Sequence, residues 1–487
     1  MAGIGLLRAQ RELLAGMTPR REVLVAVIDG GVDTAHTAVR PALSTNAREV
    51  PGNRTDDDGN GYVDDVRGWN FMGAADGRNV EYDQFELTRL VGRCRAKQPV
   101  TVGVTCDSLE KELAHERAEL EQQWAQLGPV LARYDSARTV LARAANTSPD
   151  SLTTARVQAL PPSADATGQA RTFFLMMAAR GLTPEEATSA REYFEPRLTI
   201  GYDVRADTRA IMGDWRARGR RYGNADVTGP DASHGTAVAG VIAAAAADSG
   251  ATGIAPFVKI LAVRAVPNGD ERDEDVANAI RYAVDRGAQV INMSFGKAYS
   301  PGKAMVDSAV QYAVSKGVLL VHAAGNENSD NDAGRSFPTA RYATGGARAA
   351  TWLEVGANTP RIGPRLPATF SNYGRTVVDL FAPGSDIYMP RAGTRTGWSR
   401  ESGTSFAAPV VSGVAALLMS YFPSLTAADV KRIILASVTP YRTLQVMRPG
   451  EAGQMVPFGE LSASGGVLNA YQAIRLAQQE ASRGATP

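Results

Sequence analysis

The chain has 487 residues, more than one small hydrophobic core can organise, so two or three domains are expected. Its 52 basic and 51 acidic residues give a net charge of +1, without a basic patch or an acidic tail. This balance argues against nucleic acid or an anionic membrane surface as the main partner. A hydrophobic content of 44% with 21% charged residues is typical of a globular protein.

The N-terminus lacks the apolar segment of a secretory signal, and no window holds the ~18 consecutive apolar residues that a membrane span requires. Either the chain is not exported, or its signal is not part of this sequence. Cys94 and Cys106 lie twelve positions apart and could form one disulfide or remain two thiols. Two thiols and four scattered histidines do not favour a structural zinc site.

Apolar runs bounded by glycine recur in two parts of the chain. The run at 23–28 ends in Asp29, and similar runs at 258–263, 290–294 and 318–322 alternate with segments of helical period. Such runs indicate strands buried on both faces of a parallel sheet, joined by right-handed helical crossovers. The sequence therefore predicts an α/β fold with a doubly wound, mostly parallel sheet.

The middle of the chain has a different composition. Asp107-Ser-Leu-Glu110 is a capping box that opens a charged helix, a second helix is expected from Pro129, and Thr183-Pro-Glu-Glu186 marks another helix start. These signals predict a mainly α-helical insertion. The expected organisation is an N-terminal extension (1–19), a discontinuous α/β domain (20–73 and 215–478), the helical insertion (74–214) and a C-terminal tail (479–487).

The four histidines can be compared directly as bases for a nucleophilic serine. His36 lies on an expected surface turn, and His115 lies among charged residues of the insertion. His322 lies on an apolar strand, where a structural role is the more common interpretation. His234 begins a predicted helix, and Gly235 allows that helix to pack closely on the sheet. His234 is therefore the leading candidate, with a helix-capping histidine as the alternative.

Three further polar residues lie at strand ends or at a helix start. Ser405 precedes a helix of small residues, whose unpaired N–H groups favour negative charge on a bound oxygen. Asp29 follows the first strand, at the edge where α/β sheets place their sites, and Asn326 follows a later strand. Each also has an ordinary interpretation, Ser405 as a helix N-cap and the other two as turn residues.

Four sequence blocks together resemble the signature blocks of the subtilase family. They are Val25-Ala-Val-Ile-Asp-Gly-Gly-Val-Asp33, Ser233-His-Gly-Thr-Ala-Val-Ala-Gly240, Ala324-Gly-Asn326 and Ser402-Gly-Thr-Ser-Phe-Ala-Ala-Pro409. The order Asp, His, Ser is that of subtilisin and differs from the orders in chymotrypsin and the α/β-hydrolases. The resemblance implies a serine endopeptidase that acts on protein or peptide substrates through an acyl-enzyme.

Carried over by position, the resemblance implies a catalytic triad. Asp29 would orient His234, and His234 would take the proton from Ser405. The amide of Asn326 and the N–H of Ser405 would form the oxyanion hole. The resemblance also implies a cleft in which an extended peptide pairs as an added strand. The residues lining this cleft would be Ser294, Phe295, Gly296, Ala324 and Gly325.

The sequence departs from the family pattern in three places. Ala237 replaces a second histidine, the insertion separates Asp29 from His234, and only 28 residues precede Asp29 although subtilases are usually made with a prodomain. The resemblance allows a prodomain that was removed or omitted from this sequence, and the expected location is extracytoplasmic, periplasmic or secreted. The alternative function is a catalytically silent subtilase scaffold that binds partners through the insertion. A serine esterase of a different fold is disfavoured by the residue order.

Residues 56–65 form an acidic loop with oxygen-bearing side chains at alternate positions. With Gly61 in sixth place the spacing resembles the first nine positions of an EF-hand, but Arg67 stands where the closing glutamate would be. The alternative interpretation is a solvated acidic turn. Subtilases often bind structural calcium, so Ca²⁺ is the expected cofactor. The predicted ligands are Asp56, Asp58, Asn60, the Tyr62 carbonyl and Asp64.

Overall fold

The computed structural model describes residues 3–246, 251–451 and 453–483. The chain forms two compact units, the first from Met1–Glu86 with Arg209–Pro487 and the second from Leu87–Thr208. Residues 74–86 and 209–214, which the sequence analysis assigned to the insertion, therefore belong to the first unit. Met212 shows why, since its side chain is buried in a core of that unit.

Short strands, mostly of three to seven residues, make up the sheets of the first unit. In chain order they are β1 (Leu24–Asp29), β2 (Gly68–Asn70), β3 (Lys259–Arg264), β4 (Val290–Met293), β5 (Leu319–Ala323), β6 (Trp352–Asn358), β7 (Leu380–Pro383), β8 (Ile387–Pro390), β9 (Trp398–Glu401), β10 (Thr439–Pro440), β11 (Gln445–Met447), β12 (Met455–Pro457) and β13 (Gly466–Val467).

Nine of the described strands form one sheet in the order β10-β13-β7-β6-β5-β4-β1-β3-β2. The neighbouring strands pair in parallel except for β10 with β13 at one edge, which confirms the predicted mostly parallel sheet. β1 lies between β3 and β4, with Val25 opposite Ile260 and Val290. The carboxyl end of β1 therefore lies at the point where crossovers diverge, and α/β folds form their crevices there.

Helices precede, follow and connect these strands. In chain order they are α1 (Leu6–Glu12), α2 (Glu86–Arg95), α3 (Cys106–Ala144), α4 (Thr154–Ala159), α5 (Ala166–Ala179), α6 (Pro184–Pro196), α7 (Ser233–Ala243), α8 (Asp273–Asp285), α9 (Lys303–Ser315), α10 (Thr404–Tyr421), α11 (Ala427–Ala436) and α12 (Ala470–Arg483).

Side chains of the central strands pack on both faces of the sheet. In β1, Val25 and Val27 belong to a core that includes α7 and α10, whereas Ala26 and Ile28 belong to a core that includes α8 and α9. Full burial of a valine or isoleucine side chain typically stabilises by about 1.5–3 kcal/mol. Burial on two faces explains why the strand is a continuous apolar run and not an alternating one.

Helix α10 crosses the first core and is apolar on all sides. Its length and composition would allow it to span a membrane, but 89% of its 18 residues are buried inside the protein. A helix that is hydrophobic all round is expected in a core as well as in a membrane. The close approach of Gly413 to the side chain of Ile254, where a Cβ would lie 2.6 Å away, shows that protein packs tightly around this helix.

The second unit is helical, and α3 alone has 39 residues. The helix break expected near Pro129 is wrong, because α3 continues through this proline. Leu127 before it and Leu131 after it pack in the same core, and the ring of Tyr134 stacks on Phe174 at 5.4 Å. This packing outweighs the hydrogen bond that a proline removes. A disulfide joins Cys94 to Cys106, which resolves the alternative left open by the sequence.

Candidate active site

Asp29 at the end of β1 and His234 in the first turn of α7 form a hydrogen-bonded pair. Nδ1 of His234 lies 2.8 Å from Oδ1 and 3.0 Å from Oδ2 of Asp29. Asp29 is 2% exposed, and its Oδ1 also accepts the N–H of Gly30 at 2.8 Å. Because a carboxylate only accepts when ionised, the proton of a neutral imidazole lies on Nδ1, which leaves Nε2 as a proton acceptor.

Gly235 allows α7 to reach the end of β1. A Cβ at this position would lie 2.1 Å from the carbonyl oxygen of Gly31 and 3.0 Å from Cβ of Asp29. The next residue, Thr236, is buried, and its Oγ1 accepts the N–H of Asp33 at 2.7 Å. The His-Gly-Thr sequence therefore joins the helix to the strand end by close backbone contact and by two side-chain hydrogen bonds, from His234 to Asp29 and from the N–H of Asp33 to Thr236.

The surroundings of His234 favour its protonated form. Burial opposes protonation, but the charge and hydrogen bond of Asp29 outweigh it, and Glu401 and Asp231 contribute further. The pKa of His234 is therefore raised above its ordinary value of 6.5. The side chain is still 41% exposed, so the ring edge opposite Asp29 is accessible. Such a histidine is an effective base that forms a stabilised imidazolium.

Ser405 lies in the first turn of α10, at the same end of the sheet. Its Oγ donates to the carbonyl of Ser294 at 3.2 Å, and Oγ of Ser294 donates to the carbonyl of Ser405 at 2.8 Å. The ring of Phe406 packs against His234 with centroids 5.6 Å apart. Among the described residues the hydroxyl of Ser405 thus bonds to Ser294 and not to the imidazole. Hydrogen bonds of this kind often form only when substrate is bound.

A buried polar chain fixes Ser294 from behind. Nδ2 of Asn292 donates to Oγ of Ser294 at 2.9 Å, and Oδ1 of Asn292 accepts from Oγ of Ser412 at 2.8 Å. All three residues are at most 3% exposed. This buried chain was not predicted from the sequence. Its signal was Asn292 itself, because a polar side chain in a buried strand requires a partner.

Asn326 follows β5 and turns its amide nitrogen outward. Its Oδ1 accepts from the N–H of Thr404 at 2.9 Å and from Oγ1 of Thr404 at 3.0 Å. No described residue accepts from Nδ2, and Asn326 is exposed. The arrangement orients a free N–H donor beside the first turn of α10. Thr404, which does the orienting, is buried and was not singled out in the sequence although it lies in the Ser405 block.

Comparison with known proteins gives a family for this arrangement. A profile described as the Subtilase family matches residues 20–460. This chain belongs to the subtilase family. It is 44% identical over 190 residues to a thermophilic serine proteinase of Bacillus sp. (strain AK1), covering 39% of this chain and 43% of that protein. It is 42% identical over 189 residues to thermitase of Thermoactinomyces vulgaris, covering 38% and 61%.

A third relative is matched over more of its length. Subtilisin DY of Bacillus licheniformis is 31% identical over 234 residues, covering 48% of this chain and 78% of that protein. The chain nevertheless spans less than two thirds of the proteinase from strain AK1 and of thermitase. Family membership rests on the profile, which extends over most of the chain.

In this subtilase the residues expected to line the cleft differ in accessibility. Ser294 is buried, Phe295 is half-buried and Gly296 is exposed. Neither the N–H nor the carbonyl of Gly296 has a hydrogen-bond partner among the described residues. This short segment after β4 therefore offers a free backbone edge, the feature that an added peptide strand requires.

The other two residues expected in the cleft have their backbone groups occupied. Ala324 is fully buried, and its carbonyl accepts from Nδ2 of Asn331 at 2.8 Å and of Asn372 at 3.0 Å. The N–H of Gly325 donates to Oγ1 of Thr404 at 3.2 Å. Ala324 and Gly325 thus form a rigid wall that positions Asn326.

A cavity of about 240 Å³ lies beside Asp29 and His234. Burial works against the charge of Asp231 there, but hydrogen bonds from Ser233 and Asn268 hold the pKa of its carboxyl below the ordinary value. Burial lowers the pKa of Arg264 to about 10. The cavity is otherwise lined by Gly30, Glu81, Val266, Pro267 and Ser294.

Asp58, one of the predicted cation ligands, lies in a group with Glu49 and Asp65. One carboxylate oxygen of each lies within 4.8 Å of the others. The side chains of Asp58 and Asp65 are fully buried, and Glu49 is 5% exposed. Burial, together with repulsion from the other two carboxylates, raises the pKa of Glu49. Neither Glu49 nor Asp65 was among the predicted ligands.

The remaining predicted ligands are used in hydrogen bonds within the loop and not in one common shell. Asp64 accepts the N–H groups of Gly52 and Arg54, at 2.7 and 2.9 Å. Asp56 accepts the N–H groups of Asn60 and Gly61 at 3.1 and 2.7 Å, and Oδ1 of Asn60 accepts the N–H of Tyr62 at 2.8 Å. Asp58 and Asn60 each accept the N–H two residues later, as in an Asx turn, and such turns produce the alternate spacing that resembled an EF-hand.

The pKa of His234 provides a test of its pairing with Asp29. We expect selectively labelled histidine to show His234 titrating above 6.5 by NMR, and Asp29→Asn to lower this pKa because it removes the stabilising charge. The matched control is Asp33→Asn, since Asp33 accepts backbone N–H groups of Ala35 and Gly393 and does not contact the ring. An unchanged titration in Asp29→Asn would contradict the pairing.

Proposed function

We propose that this subtilase is a serine endopeptidase that cleaves peptide bonds through an acyl-enzyme on Ser405. The observation that carries the proposal is the hydrogen-bonded pair of Asp29 and His234, which lies at the same sheet edge as Ser405 and Asn326. Relatives named as proteinases add support. The substrate class that follows is protein or peptide.

In the first half of the reaction Ser405 attacks the scissile carbonyl. Its hydroxyl leaves the carbonyl of Ser294 and turns to Nε2 of His234, which takes the proton as the Oγ–C bond forms. Asp29 stabilises the resulting imidazolium, and the imidazolium then protonates the leaving amine as the C–N bond breaks. Water attacks the ester by the same steps in reverse, with His234 again as the base.

Two donors receive the negative oxygen that forms during both attacks. One is Nδ2 of Asn326, which Thr404 holds outward. The other is the N–H of Ser405 in the first turn of α10, where backbone N–H groups have no intrahelical acceptor and the helix dipole is positive. Donors fixed before the reaction stabilise the transition state without a reorganisation cost.

The disulfide supports an extracytoplasmic location as part of the same proposal. Cys94 and Cys106 are joined in the second unit, and structural disulfides persist mainly in oxidising compartments.

The activity test is covalent labelling of Ser405. A fluorophosphonate should label the folded protein at Ser405, and Ser405→Ala should abolish both labelling and peptide cleavage. An unlabelled wild type would favour the silent scaffold. Faster turnover of a short acyl ester with no cleavage of a denatured protein would instead favour an esterase.

Asn326→Ala tests the oxyanion donor. We expect kcat to fall on the order of 10²–10³-fold, about 2.7–4 kcal/mol, as for the asparagine donor of subtilisin, with KM little changed. Asn328→Gly is the control, because Asn328 lies two residues away with φ of 49°, a conformation that glycine tolerates. Equal kcat in Asn326→Ala and the wild type would remove Asn326 from the mechanism.

We further propose that Glu49, Asp58 and Asp65 bind Ca²⁺. Three crowded, buried carboxylates fit a hard divalent cation. Calcium at 100 times its Kd should add about 2.7 kcal/mol to the free energy of unfolding. Thermal melts with and without a chelator measure this gain, and Glu49→Gln should lose most of it. Asp64→Asn should retain it, because the Asp64 carboxylate accepts the N–H groups of Gly52 and Arg54, and the N–H that Asp64 donates to Glu49 is kept in this variant. A calcium response lost in Asp64→Asn but kept in Glu49→Gln would restore the EF-hand ligand set.

A further inference from the structure

His322 on β5 is fully buried, and both of its ring nitrogens face hydrogen-bond acceptors. Nδ1 lies 2.8 Å from Oε1 of Glu354, and Nε2 lies 2.8 Å from the carbonyl oxygen of Phe295. The second oxygen of Glu354 accepts from Nε1 of Trp352 at 2.8 Å. A carbonyl cannot donate and an ionised carboxylate cannot donate, so both nitrogens of His322 carry protons.

His36 shows that burial alone does not produce this state. It is also fully buried, so the surface turn expected for it from the sequence is wrong. Its Nδ1 accepts the N–H of Ala38 at 3.2 Å while Nε2 donates to the carbonyl of Gly397 at 3.0 Å. One accepting nitrogen fixes His36 as a neutral ring. The two buried histidines therefore differ in charge because of their partners.

The groups packed around His322 favour the imidazolium. Burial opposes the charge, but Glu354, the Phe295 carbonyl and the more distant Glu271 raise the pKa of His322. Behind Glu354, the carboxylate of Asp379 accepts the N–H of Glu354 at 2.8 Å and pairs with Arg348 at 3.0 Å. Besides His322 itself, the basic groups that act on this carboxylate pair are thus Arg348 and Lys431, both through Asp379.

The bond to Phe295 bears on substrate binding because backbone groups alternate along an extended segment. The carbonyl of Phe295 points into the core toward His322. The carbonyl of Ser294, one residue earlier, points to Ser405, and the backbone edge of Gly296, one residue later, is free. Holding the Phe295 carbonyl inward therefore holds the groups of Ser294 and Gly296 toward the cleft.

We propose that His322, as an imidazolium, is a positioning residue that sets the peptide-binding edge at Ser294–Gly296. The inference rests on the proposed endopeptidase function. It also predicts a pH dependence: the proton is present below the raised pKa of His322 and is lost as the pH rises through it. A neutral ring has only one N–H for two acceptors. Because the carboxylate of Glu354 is the stronger acceptor, this N–H stays on Nδ1. The carbonyl of Phe295 therefore loses its donor at alkaline pH.

The test combines kinetics with NMR. In His322→Ala we expect KM for peptide substrates to rise about tenfold, the effect of one lost hydrogen bond, with kcat little changed. Labelling of Ser405 by a small fluorophosphonate should keep its wild-type rate, because this reagent does not use the peptide-binding edge. Histidine ¹⁵N shifts of the wild type at neutral pH should show a cationic His322 and a neutral His36.

Glu354→Gln separates the charge from the hydrogen bond. The amide oxygen can accept from Trp352 and the amide nitrogen can donate to Nδ1, so a neutral His322 keeps its Nε2–H on Phe295. We expect a wild-type KM at neutral pH, a neutral His322 signal, and loss of the alkaline rise in KM that the wild type shows. A structural role without charge would not move that pH profile.

The outcomes distinguish the two proposals. A labelled wild type whose KM is unchanged in His322→Ala, or whose His322 is neutral, overturns the positioning role alone. An unlabelled wild type overturns the endopeptidase and the positioning role with it. If His322→Ala does not fold, the ¹⁵N shifts of the wild type and the pH profile of KM in Glu354→Gln test the positioning role instead. An alkaline rise in KM that is retained in Glu354→Gln refutes the proposal.

Discussion

The approach of α7 to the carboxyl end of β1 is the contact on which the site depends. β1 lies inside the sheet, so its last residue, Asp29, is a buried carboxylate that needs a partner. Gly235 lets the helix come close enough for His234 to supply one, with 2.1 Å between a hypothetical Cβ and the backbone of Gly31. Asp29 in turn fixes the ring and leaves Nε2 facing outward. The same contact therefore satisfies the fold and prepares a base.

The fold was largely predictable because its signals are local and repeated. Strands such as β1 are buried on both faces, so a continuous run of apolar residues is enough to indicate them. The helices between the strands indicate that neighbouring strands run parallel. The expected break at Pro129 was wrong for the opposite reason. Leu127 and Leu131 lie on either side of this proline and share a core, and such long-range packing is not visible in a local helix signal.

The residues of the candidate site could be predicted from their types and positions in the sequence, but the hydrogen-bond partners that orient them could not. Asp29 and Asn326 follow strand ends, a position that α/β folds use for chemistry. Asn292 signalled a buried partner by being polar in an apolar strand, but its partner Ser294 and the bond of Thr404 to Asn326 became identifiable only in the structure. The same limit applies to the acidic loop. Spacing within the loop suggested one ligand shell, whereas Asp58 lies in a group with Asp65 of the same loop and with Glu49, which lies outside it.

The segment after β4 connects the nucleophile with peptide recognition. The carbonyl of Ser294 accepts the hydroxyl of Ser405 and lies two residues before the free backbone edge of Gly296, so one short segment contacts both the nucleophile and the proposed peptide-binding edge. In the proposed mechanism the hydroxyl leaves this carbonyl and turns to Nε2 of His234 before it attacks. Because His322 holds the next carbonyl inward, it fixes the direction in which the carbonyl of Ser294 points. Loosening that bond would weaken peptide binding without altering the Asp29–His234 pair.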